Sequence, residues 1–147
     1  RLANGSLNTA LQLSQPETKE EPHLKEFQRW MQICYKANLK ELAKWTDEIA
    51  KNGRENQKEF LHYALKLIRK CLLVNTFNQS LLEMEEEEAI FVRNFAPFIH
   101  GGNSISIFEK TEKAIKNIER NSNPKILFYE LSLQLMRLLK VKRKLAN

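Results

Sequence analysis

An all-α fold, a single bundle of about six helices, is what this sequence predicts, and three observations point to it. Only 4 Gly and 4 Pro punctuate 147 residues, too few turn formers for a protein built from many short strands. Apolar residues recur three and four positions apart in the long segments, the spacing of one helix face, and extended alternation of Val, Ile and Thr is absent. The composition, 42% hydrophobic and 29% charged, suits one soluble domain with one core.

The elements follow in chain order. In residues 1–13, Gly5 is a breaker, Ser6 a cap, and Leu7, Ala10 and Leu11 are spaced for a short helix. Residues 14–22, "SQPETKEEP", hold two prolines and no large apolar side chain, and read as an exposed linker. The main domain is then expected over 23–147.

Leu24, Phe27, Met31 and Cys34 open the domain as one apolar stripe, widened by Trp30 and Tyr35. Asn38 is placed to cap a second helix carrying Leu39, Leu42, Trp45 and Ile49, with Asn52 and Gly53 as a left-handed stop. From Glu55 to Phe77 apolar residues cover more than one face, which predicts a helix surrounded by others. A further helix from near Ser80 passes through an acidic run, buries Phe91, Phe95, Phe98 and Ile99, and is kinked or ended by Pro97.

After the loop His100-Gly101-Gly102-Asn103, the segment from Ser104 to Asn121 is amphipathic, with Phe108, Thr111, Ile115 and Ile118 on one face. The last helix has Asn123 as cap and Pro124 in its first turn, where the missing N–H costs nothing. Its apolar residues run out to Val141 on two faces. Either this helix is central in its own domain or one face meets another subunit.

The net charge of +6 and the pI near 9.4 are compatible with an acidic partner, and equally with an ordinary mildly basic protein. Acidic (Glu83, Glu85 to Glu88) and basic (Lys140, Lys142, Arg143, Lys144) runs are separate. Cys34 and Cys71 lack CxxC or zinc-finger spacing and read as buried hydrophobes in a reducing compartment. With no signal peptide and no bilayer-length apolar run, a soluble cytoplasmic protein without membrane contact is expected.

Catalytic and nucleotide motifs are missing: there is no phosphate loop, dinucleotide fingerprint, HExxH or nucleophile elbow. Glu59 and His62 form an ExxH pair, and Glu20 with His23 a formal second one. A metal-carboxylate bundle needs both pairs and further acids in a dry core, and Pro22 between Glu20 and His23 argues against a shared face, so no metal or cofactor is expected. His100 beside two glycines fits turn geometry better than catalysis. Arg69, Lys70 and Arg93 are possible phosphate contacts, or simply charges on a wet face.

Four stretches resemble a known family. "NSNPKILFYEL", with Asn121, Asn123, Pro124, Leu127, Glu130 and Leu131, followed by Leu135 in a leucine-rich helix, resembles the end of the delta-prime and gamma/tau subunits of bacterial DNA polymerase III clamp loaders. "LANGSLNTALQL" is similar to the segment that closes the AAA+ lid in those proteins; where an arginine often senses nucleotide, this chain has Asn8. That difference favours delta-prime, the subunit of the family that does not hydrolyse ATP. "GRENQKEFLHYALKLIR" and "FVRNFAPFI" also look like the delta-prime carboxy-terminal domain.

The resemblance implies that residues 1–13 end an AAA+ lid, 14–22 link, and 23–147 form a helical collar domain. Because the chain opens on Arg1, it is read as a piece of a longer protein whose nucleotide-binding core lies upstream. The implied role is structural and not enzymatic. The collar would join gamma/tau and delta subunits in the ring that supports sliding-clamp loading, touching DNA only through the complex. A gamma/tau carboxy-terminal domain and a helical nucleic-acid-binding module are the alternatives.

Overall fold

The computed structural model describes residues 14–77 and 84–142, with side chains over 22–76 and 84–142. The expected lid helix, with Asn8, lies outside the described residues, as do Glu83 and the Arg143 and Lys144 end of the basic run. Six α-helices and one 3-10 turn make up the described fold, and no strand occurs among these residues: α1 (Ser14–Lys36), α2 (Leu39–Ala50), α3 (Arg54–Phe77), α4 (Glu86–Phe95), the 3-10 turn (Ala96–Phe98), α5 (Ser104–Glu119) and α6 (Pro124–Leu139).

Two boundaries differ from expectation. Helix α4 begins at Glu86 and not near Ser80, with Met84 and Glu85 outside it, so that three glutamates fall in its first turn, where the helix dipole favours them. Helix α1 starts at Ser14 and runs through Pro22, so residues 14–22 are helical and not an irregular linker. Their Glu, Lys and Gln are good helix formers, and Pro16 falls in the first turn, where proline is tolerated. Pro22 removes one helical hydrogen bond without ending the helix.

The remaining helix ends follow local chemistry. At the α1 end, the Asn38 N–H donates to the Ile33 carbonyl (3.2 Å) while Ala37 takes a left-handed φ of 53°, the geometry of a Schellman stop. Asn38 then caps α2 by accepting from the Glu41 N–H at 3.1 Å. Gly53 has φ 87°, a conformation that glycine adopts without a Cβ clash. Buried Gln57 donates to the Ile49 (2.9 Å) and Ala50 (3.3 Å) carbonyls at the α2 end, adding to the Asn52 N–H bond that Ile49 already accepts.

The core is aromatic at its centre. Trp30 and Trp45 stack with centroids 5.1 Å apart, and Phe60 and Phe128 close around them. Trp30 donates to Ser132 Oγ at 2.7 Å, and Trp45 donates to the Glu26 carboxylate. Both indoles are thus buried with their N–H groups satisfied.

Helix α6 packs against α1, α2 and α5, which explains its two apolar faces. Leu127, Leu131 and Leu135 are all buried within this chain. The choice left open by the sequence is therefore resolved for these three: they are core residues. Helix α3 packs against α1, α4, the 3-10 turn and α5, the surrounded position its apolar faces predict.

Candidate protein-binding cleft between α5 and α6

The turn between α5 and α6 is built by the asparagines that carry the family resemblance. Asn121 sits at φ 64°, and the Ser122 N–H donates to the Asn117 carbonyl at 3.0 Å, which closes α5. Asn123 Oδ1 then accepts from the Ile126 N–H at 3.1 Å, and Pro124 occupies the first position of α6. Three side chains tether this corner. Arg54 donates to Asn121 Oδ1, Lys58 pairs with Glu119 at 3.6 Å, and Lys125 pairs with Asp47 at 2.8 Å.

Beside the fixed corner lies a cleft of about 290 Å³. Lys110, Lys113 and Asn117 form the α5 wall, Ser122 and Asn123 the end, and Ile126, Glu130 and Gln134 the α6 wall, over a floor that includes Leu127 and Leu131. Ile126 is 59% exposed, although its position in a helix would have allowed a polar residue. Lys110, Lys113 and Glu130 make no ion pair among the described residues, so their charges are available to a partner. An exposed aliphatic side chain in a cleft also lined by two ammonium groups and a carboxylate suits an amphipathic protein surface.

The other sequence candidates lie elsewhere. Lys70 is not a free phosphate contact: its ammonium pairs at 2.6 Å with Glu88, whose carboxylate also accepts from the Tyr63 hydroxyl at 3.0 Å. Glu88 is 4% exposed, so burial demands such partners. Arg69 and Arg93 are exposed, on α3 and α4 respectively. His62 is exposed, while Glu59 lies 4.0 Å from His23. Among the described residues no three His, Cys, Asp or Glu side chains gather where a metal would sit.

His100 has a structural task. Its Nδ1 accepts from the Gly102 N–H at 3.1 Å and its Nε2 lies 3.0 Å from the Val141 carbonyl, so Nε2 carries the proton and donates. Asn103 stands beside it, 1% exposed. It accepts from the His100 N–H at 3.0 Å and donates to the Phe98 (2.8 Å) and Leu138 (3.0 Å) carbonyls. A Cβ on Gly102 would meet the His100 ring at 3.1 Å, so the glycine lets the ring lie against the backbone. The loop therefore ties the end of α6 to the α4–α5 connection.

Sequence reasoning missed Glu88, Asn103, Gln57 and Ser132 as buried polar residues. Glu88 sits one turn from exposed Glu85 within an acidic run, and nothing local distinguishes it. Gln57 carried one usable signal: a long amide placed just after a helix stop. Burial pushes both thiols, Cys34 and Cys71, up to about 12, with the Glu88 charge adding to the effect at Cys71.

Comparison with protein-family models, curated proteins and solved structures gives no significant match. Within the described residues no helix is long and apolar enough to cross a membrane.

Proposed function

We propose that this chain is a non-catalytic assembly domain, the collar domain of a clamp-loader subunit of the delta-prime type, which joins gamma/tau and delta subunits through helix faces. The observation that carries it is the division of labour in the stretch that resembles the family. Leu127, Leu131 and Leu135 hold the core while Ile126 and Glu130, on the same helix, face outward into the α5–α6 cleft. A helix that keeps an aliphatic side chain 59% exposed beside unpaired charges is suited to a partner. This reading implies work in the cytoplasm, with DNA reached only through the assembled complex.

The experiment mixes the purified chain with gamma/tau and delta carboxy-terminal domains and follows sizing chromatography. Co-migration is expected. Failure to co-migrate, together with tight DNA binding that weakens steeply with salt, would replace this reading with a nucleic-acid-binding module.

A further inference from the structure

A second apolar surface lies between α1 and α4, away from the α5–α6 cleft. Met31 and Tyr35 on α1, with Ile90, Phe91, Phe95 and Phe98 from α4 and the 3-10 turn, line a groove of about 460 Å³. The groove is bridged at two levels: Phe27 meets Phe91 at 5.6 Å, and Tyr35, two turns further on, meets Phe98 in the 3-10 turn at 5.1 Å. Tyr35 is 56% and Ile90 45% exposed, so the groove's rim is apolar as well as its floor.

Its charges are arranged by end. The polar lining along its length, Gln28, Gln32 and Asn94, is uncharged, and Lys36 is the only charged lining residue. Lys36 stands at the Tyr35 end. At the other end exposed Glu86 and Glu87 lie one turn before Ile90 on α4. None of these three makes an ion pair among the described residues. Aromatic and Met side chains without charge in the middle, and opposite charges at the two ends, match the composition of an interface core with its rim.

We infer that this groove docks an amphipathic helix of a partner protein, one with an apolar stripe about two turns long, a basic residue over Glu86 and Glu87, and an acidic residue over Lys36. From Gln28 to Lys36 the α1 wall spans about 12 Å at 1.5 Å per residue, the length covered by anchors at i, i+3 or i+4, and i+7. The inference is independent of the clamp-loader reading, since it rests on a different pair of helices and on their charges alone.

The test uses labelled 14-residue helical peptides with Leu at positions 4, 8 and 11 and Ala and Gln elsewhere, titrated against the full 147-residue chain by fluorescence anisotropy. One peptide carries Lys first and Glu last; another carries Lys at both ends. Wild type is expected to favour the mixed-end peptide at least threefold, Lys36→Glu to reverse that preference, and Ile90→Ser to weaken both peptides about fivefold or more. Thermal melts establish that each variant is folded; both positions are exposed. Binding indifferent to end charge, or unchanged by Ile90→Ser in folded protein, overturns the inference. So does a dimer of the chain that Ile90→Ser dissolves, which would make the occupant a second copy.

Discussion

Trp30 and Ser132 are 102 positions apart, and the indole N–H of the first donates to the hydroxyl of the second at 2.7 Å. Ser132 in turn donates to the Phe128 carbonyl one turn earlier on α6, also at 2.7 Å. This bond fastens the first described helix to the last at the centre of the core. Ser132→Ala leaves the indole N–H buried without an acceptor and should cost about 1–3 kcal/mol. Urea unfolding monitored by tryptophan fluorescence measures it, and a cost near zero would mean that the indole finds another partner.

Asn103 joins three backbone groups with one amide. Asn103→Leu keeps the branched shape and strips all three bonds, leaving the Phe98 and Leu138 carbonyls and the His100 N–H to be satisfied elsewhere. A loss of at least about 2 kcal/mol is expected. Hydrogen exchange should show the last turn of α6 opening first, because that turn loses its tie to the α4–α5 connection.

The thiols give the pH dependence. In the fold, burial holds Cys34 and Cys71 at about 12, whereas an unfolded chain ionises its thiols near about 8.5. Their contribution is full below the unfolded value and is lost as pH rises toward 12, because only the unfolded state releases those protons. Between pH 9 and pH 11 the wild type should lose more stability than a Cys34→Ala, Cys71→Ala variant. Iodoacetamide should label both cysteines only at the rate of global unfolding.

Asn123→Ala removes the side-chain acceptor for the Ile126 N–H and should cost about 1 kcal/mol. Asn123→Asp keeps an acceptor, places a negative charge at a helix N-terminus, and should retain wild-type stability. Paired thermal melts separate the two.

What the sequence made legible was what neighbours in sequence decide. Asn38 and Asn123 as caps, Gly53 as a left-handed stop, Pro97 as the end of α4 and the two-faced apolar pattern of α6 all act within a few residues. Ser132, Glu88 and Asn103 were illegible for the opposite reason: their partners lie on other helices, and a serine, glutamate or asparagine between polar neighbours reads as surface. Residues 14–22 misled because proline and charge together suggest a linker, yet Glu, Lys and Gln propagate a helix once it has started. The cleft was half legible. Leu127, Leu131, Ile126 and Glu130 all stood out as a stretch, but only packing against α2, α5 and α1 tells which of them face inward.

That division makes the most direct measurement a comparison of two single variants on the same helix, Leu131→Asp and Ile126→Asp, in sizing chromatography with gamma/tau and delta carboxy-terminal domains. Leu131→Asp buries a charge in the core and should unfold the chain, seen as a lost thermal transition. Ile126→Asp should melt within about 0.5 kcal/mol of wild type and no longer co-migrate with partners that hold the wild type. Ile126→Asp protein that is folded and still co-migrates would contradict assembly through the α5–α6 cleft, and wild-type protein that never co-migrates would contradict the clamp-loader role itself.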